Sequence, residues 1–170
     1  MVTSEQVLTP HIRAQVTQSP KWTTRTCRCR IMRGMTSSSP SHLSKFTQHV
    51  GIELVEKAPG RSRWTLDLQP VHMNTHGVVH GGVLFTLADT AMGAALFGAL
   101  QPGEICATIN VKINYFKPVF GGQVVCLSEV VNQGKNVAHL DASLYVDGVL
   151  VARANGDFAI FKRKSEAVSA

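Results

Sequence analysis

The run from His80 to Phe97, His-Gly-Gly-Val-Leu-Phe-Thr-Leu-Ala-Asp-Thr-Ala-Met-Gly-Ala-Ala-Leu-Phe, constrains this chain more than any other stretch. It reads as one long helix entered through a glycine pair. Its apolar residues lie all round the helix, not along one stripe, which predicts burial on every side. One carboxylate, Asp89, falls in the middle. A charge inside a buried helix is costly unless paired, so Ala or Leu is the ordinary occupant and the Asp is the first pointer to function. A membrane span is a poor reading of the run. Asp89 near its centre costs roughly 2.5–3.5 kcal/mol on insertion, and the segments after it alternate like strands.

With 170 residues the chain is long enough for one domain with a real core. Its net charge of +6 is not evidence for a nucleic-acid partner, because of where the charge sits. Arg13, Lys21, Arg25, Arg28, Arg30, Arg33 and Lys45 face only Glu5 in residues 1–45, while bases and acids cancel in the remainder. No basic groove is implied. The four cysteines show no zinc-ligand spacing. Cys27 and Cys29 lie in the N-terminal stretch, and Cys106 and Cys126 read as buried free thiols in strands.

Residues 1–34 lack apolar periodicity and are rich in Thr, Ser and Arg. Three readings stay open: a disordered tail, an organellar transit peptide, or upstream sequence before a natural start at Met35. No apolar core of a secretory signal follows the N-terminus. The expected organisation is an extension over 1–40, one domain over 41–163 and a tail over 164–170. The expected location is cytoplasmic, or mitochondrial if residues 1–34 are a transit peptide.

Along the domain, residues 41–50 read as a short helix capped by Ser41, with Leu43, Phe46 and Val50 on one side. Strands follow over 51–56 and 63–69, split by a turn at Pro59-Gly60. A loop over 71–79 leads into the long helix. Four strands then run over 104–116, 123–131, 139–146 and 149–161, the last two joined by an Asp147-Gly148 hairpin. Strict alternation in the first of these puts Ile105, Ala107, Ile109, Val111, Ile113 and Tyr115 on one face. It puts Cys106, Thr108, Asn110, Lys112 and Asn114 on the other. Strands in meander spacing around one helix predict an α+β fold with an antiparallel sheet curled on that helix.

Several residues have the chemistry for a site. A helix start presents unpaired N–H groups and partial positive charge, and glycines let another group approach. Gly81-Gly82 can therefore hold an anion or a developing oxyanion, or simply give close packing. Asp89 can serve as general base or nucleophile, or point into water. Asn74 and His80 flank the helix entrance, where such residues commonly cap turns. Thr108, taken alone, is an ordinary strand residue.

Together, Asn74, His80-Gly81-Gly82 and Leu87-Ala88-Asp89-Thr90-Ala91 resemble the signature of the hotdog-fold acyl-CoA thioesterases, and more closely the phenylacetate-degradation (PaaI-type) branch. The segments Asn110 to Pro118 and Gly148 to Phe161 are similar to the same family, so the resemblance covers about residues 45–162. It implies a hotdog fold, an acyl-CoA substrate, no metal or other cofactor, and a homodimer or dimer of dimers with sites at the subunit interface. It places the catalytic carboxylate on Asp89, the oxyanion donor on the Gly81 N–H after His80, and an Asn beside the thioester or water on Asn74. A hydroxyl of some members falls on Thr108. The early Asp of the 4-hydroxybenzoyl-CoA branch and the Asp/His pair of the hotdog hydratases have no counterpart here. The alternative is a non-catalytic acyl-CoA or acyl-lipid binding module.

Overall fold

The computed structural model describes residues 44–163. The predicted extension over 1–40 and tail over 164–170 lie outside these, as do Cys27, Cys29, Ser41 and Leu43. The described chain runs α1 (Lys45–Val50), β1 (Ile52–Ala58), β2 (Arg61–Asp67), a 3-10 turn (Pro70–His72), α2 (Gly81–Phe97), β3 (Glu104–Tyr115), β4 (Gln123–Gln133), β5 (Val137–Val146) and β6 (Val149–Lys162). The predicted order of elements therefore holds. All strand pairs are antiparallel, in one six-stranded sheet ordered β1-β2-β4-β5-β6-β3. No helix among the described residues is long and apolar enough to cross a membrane.

The first helix starts later than predicted. Ser44 is its N-cap, its hydroxyl accepting from the Thr47 N–H at 3.1 Å, and Gly51 ends it in the left-handed region. Six residues give less than two turns. Thr47 is buried against that cap while Phe46 stays exposed, so the expected Phe46 face does not form. Asp147 and Gly148 both take positive φ, which matches the right-handed strand twist and closes the β5–β6 hairpin.

Helix α2 packs across the concave side of the sheet. Leu84, Leu87, Ala88, Ala91, Met92, Ala95 and Leu96 are buried, at i, i+3, i+4, i+7 spacing. They meet Leu66, Val124, Leu140, Leu144, Ala152 and Phe158 in the same core. Leu87, Met92 and Leu96 lose all exposure, and each such burial contributes about 1.5–3 kcal/mol. The buried hydroxyls of Ser62 and Ser128 lie 2.8 and 2.9 Å from the Ala91 carbonyl, and Trp64 Nε1–H donates to Ser62 at 2.9 Å. These bonds fix the middle of α2 on β2 and β4.

The prediction of burial on every side is wrong for the single chain. The core side of α2 is fully buried, but Phe85 keeps 37% of its surface exposed and Asp89 lies on the half-exposed side. Composition records which residues are apolar, not how many faces one sheet can cover.

The strict alternation predicted for β3 also fails. Thr108 pairs with Phe158, but Asn110 pairs with Asp157, so Ile109 is an extra residue in a β-bulge. The bulge reverses the faces at that point. Cys106 and Thr108 share the concave face with Val111, Ile113 and Tyr115, while Asn110, Lys112 and Asn114 face outward with Asp157, Asn155 and Arg153. Cys126 is buried as expected, but Cys106 is only partly so, with its Sγ 3.8 Å from the Gly93 carbonyl.

Candidate active site

Two groups of predicted site residues form, one at the start of α2 and one at its middle. At the start, His80 is the N-cap: its backbone is extended and its Nδ1 accepts from the Gly82 N–H at 2.9 Å. His80 reaches this position through a short antiparallel return. Met73 bridges Val79, and the His80 N–H donates to the His72 carbonyl at 2.9 Å. Asn74 holds the tip of that return, its Oδ1 accepting from the His76 N–H at 2.8 Å and the Val78 N–H at 3.4 Å. Its side-chain oxygen is therefore committed to the turn, and its amide is the group suited to donate.

The glycine pair serves close approach rather than an unusual backbone conformation, since a Cβ at either position would crowd a neighbouring side chain. A Cβ on Gly81 would lie 3.1 Å from the Tyr115 ring and hydroxyl, and one on Gly82 3.0 Å from His80 Nδ1. Tyr115 donates its hydroxyl to the Gly81 carbonyl at 2.9 Å. Partial burial pushes that hydroxyl above the usual phenol range, so it stays protonated as a donor. Sequence reasoning missed Tyr115. Its signal was an aromatic with a polar tip in a strand, a residue type that looks for a partner when covered. With the Gly82 N–H on His80 and the Val83 N–H on the His80 carbonyl, the Gly81 N–H is the first-turn donor that helix geometry leaves for a ligand. Beside it a cleft of about 390 Å³ opens between Val78, Leu84, Tyr115, Phe116, Lys117 and Val119.

At the middle of α2, Thr108 Oγ1 donates to Asp89 Oδ1 at 2.9 Å. Thr108 lies immediately before the β3 bulge, on the helix-facing side with Cys106. Asp89 sits on the half-exposed side, so the carboxylate is not sealed in apolar surroundings, as burial of the helix on every side would have had it. A helix rises 1.5 Å per residue, so the eight-residue step from Gly81 to Asp89 spans about 12 Å. One chain thus presents an N–H donor and a carboxylate too far apart to touch the same atom. A second depression, of about 260 Å³, lies on the outer face of the sheet by Asn114, Asp141 and Arg153 and includes none of the predicted site residues.

An antiparallel sheet wrapped on one long helix, with a capped glycine pair at the helix start and a carboxylate at its middle, defines a hotdog domain of the α+β class. Known proteins agree. The Thioesterase superfamily model matches residues 76–152. Acyl-coenzyme A thioesterase 13 of Homo sapiens is 30% identical over 105 residues, covering 60% of this chain and 74% of that protein. The solved structure of the conserved protein PA5202 from Pseudomonas aeruginosa has a TM-score of 0.68 and 31% identity, over 70% of this chain and 95% of that one. That of the E. coli PaaI protein from the phenylacetic acid degradation operon has a TM-score of 0.65 and 25% identity, over 69% of this chain and 85% of that one. The chain belongs to the thioesterase superfamily, and its enzyme class is thioester hydrolase.

Proposed function

We propose that the protein hydrolyses the thioester of an aryl- or fatty-acyl-CoA, giving the free acid and CoA. The observation that carries this reading is the Asp89 carboxylate, held by Thr108 on the open side of an otherwise apolar helix. The similarity to human acyl-coenzyme A thioesterase 13 supports the CoA ester as substrate. In the proposed reaction the thioester carbonyl accepts from the Gly81 N–H, where the helix dipole favours the developing negative charge. Asp89 then either takes a proton from water, whose oxygen bonds to the carbonyl carbon, or bonds to that carbon itself. The C–S bond breaks and the thiolate of CoA leaves. In the second route water cleaves the resulting mixed anhydride. Asn74, through its amide, orients the thioester or the water, and His80 holds the helix start in shape.

The 12 Å between Gly81 and Asp89 leads us to a site shared by two copies of the chain, since catalytic contacts need about 3 Å. Each site then takes Asp89 and Thr108 from one protomer and Asn74, His80 and Gly81 from its partner. β3 supports this reading. Among the described residues it ends the sheet with one edge unpaired, and a long free edge is a template for a second strand. A two-fold axis is the simplest operator that closes such a pair, in a dimer or a dimer of dimers.

The test is release of free CoA thiol from phenylacetyl-CoA and palmitoyl-CoA, by the wild type and by Asp89→Asn. Loss of a general base costs about 10²–10⁴-fold in rate. Asp89→Asn should fall by that factor while retaining its melting temperature and its thermal shift with intact ester. Near-normal kcat in the variant, or stabilisation by ester without any turnover in the wild type, would overturn the reading.

A further inference from the structure

The β-bulge that follows Thr108 lies directly against a polar cluster on the outer face of the sheet. Asn110, the first residue after the bulge, donates from Nδ2 to Asp157 Oδ2 at 2.9 Å. His139 donates from Nδ1 to Asp157 Oδ1 at 2.7 Å. The three residues tie β3, β6 and β5 together at the level where the register shifts. A second device acts on the same spot. A Cβ on Gly156 would lie 2.7 Å from the Asn110 backbone carbonyl, so only glycine lets the bulged strand approach this closely.

From these observations we infer that Asn110, Asp157 and His139 are positioning residues, which hold the β3 bulge so that Thr108 meets Asp89. The inference rests on the proposed role of Asp89, but it concerns residues on the opposite face of the sheet. Without the bulge the two halves of β3 could not both keep their faces: with Val111, Ile113 and Tyr115 held inward, strict alternation would turn Thr108 and Cys106 outward, because a one-residue slip moves all side chains on one side of it to the other face. Tying Asn110 to Asp157 fixes the outward parity of Asn110. With Ile109 as the extra residue, Thr108 must then face inward. The carboxylate suits this task. Its bonds, to His139 first and Asn110 second, hold Asp157 below the usual carboxylate range, so it remains an acceptor for both donors at neutral pH.

The experiment is a double-variant cycle on thioester hydrolysis with Thr108→Ala and Asn110→Ala, each alone and combined. Displacing a positioned group by about 1 Å costs up to 10²-fold, so a partial displacement in Asn110→Ala should lower kcat on the order of tenfold, with KM nearly unchanged. In the Thr108→Ala background the same change should add little. Asp157→Asn, which keeps an oxygen for Asn110, should retain most of the rate that Asp157→Ala loses. Arg153→Ala removes an outer-face ion pair with Asp141 away from the bulge and should leave kcat unaffected. Losses that multiply fully in the double variant, or a wild-type rate in Asn110→Ala, overturn the inference and leave the reading of Asp89 intact. That reading fails separately, through Asp89→Asn. A readout independent of turnover is the crystal structure of Asn110→Ala, in which Thr108 Oγ1 should move out of hydrogen-bond distance of Asp89. Persistence of that contact also overturns the inference.

Discussion

Two inactive variants of this protein should restore each other. The perturbation is Asp89→Ala in one chain and Asn74→Ala in another, which lie on different groups of the candidate site. Gly81 and Asp89 are about 12 Å apart along α2, and helical side chains lean toward the helix start by far less than that distance. A carbonyl bound to the Gly81 N–H is therefore out of reach of Asp89 in the same chain. If a two-fold dimer supplies the missing half, each homodimeric variant carries a lesion in both of its sites. In a mixed dimer, one site carries both lesions and the other carries neither. Random assortment at equal concentration makes about half of the dimers mixed, and each has one intact site of two. About a quarter of wild-type activity should return. The assay is thiol release after co-refolding the two variants, with subunit exchange confirmed by native mass spectrometry. Complete exchange with activity no higher than either variant alone would refute the shared site. Recovery above about one half would refute the simple closed dimer.

Four further outcomes follow from particular residues. Ser62→Ala leaves the buried Trp64 Nε1 without its acceptor and should cost about 1–3 kcal/mol in urea unfolding. Ser128→Ala leaves the Ala91 carbonyl its bond from Ser62 and should cost about 0.5–1.5 kcal/mol, so equal costs would show that the network is wrongly apportioned. Burial pushes the Cys126 thiol from 9.0 up to about 12, so a thiol reagent at about pH 9 should modify it only after unfolding. Equal rates in folded and unfolded protein would contradict its burial. The folded value of Asp157 lies below its unfolded 3.8, so its contribution to stability is fully present above that pH and is lost as pH falls through the folded value. The melting-temperature gap between wild type and Asp157→Ala should hold at neutral pH and close in acid, and a gap unchanged down to about pH 2 would exclude the linkage.

The architecture was legible because its signals are local. Turn glycines and prolines mark the strand ends, the Asp147-Gly148 pair sets the last hairpin, and α2 is too long and too apolar to lie anywhere but on the sheet. The candidate site residues were legible as types, but not as an arrangement. That His80 caps α2 through Nδ1 depends on the return from Met73 to Val79, which no spacing in the sequence encodes. Tyr115 reaches Gly81 from 34 residues away, and only the paired register of β3 on β6 aims it there. The bulge at Thr108 was invisible because alternation extrapolates from one residue to the next, while a bulge is a relation between two strands. Its one trace in the sequence is Gly156, a lone glycine inside an alternating strand, which marks close backbone approach.

The error about α2 bears directly on function. Apolar residues all round a helix demand cover all round, yet one sheet covers only the side from Leu84 to Leu96. The remaining side holds Phe85 beside the half-exposed Asp89, and β3, whose Thr108 meets that carboxylate, ends the sheet with a free edge among the described residues. Among the described residues a single chain thus leaves open one helix face, one sheet edge and the proposed catalytic constellation, and all three lie on or beside α2 and β3. One two-fold contact through that region would cover the apolar side chain, pair the strand and bring a Gly81 N–H to each Asp89. On the proposed shared site, the burial expected from the sequence would belong to the pair of chains, and the complementation experiment tests it through chemistry that a merely structural dimer would not restore.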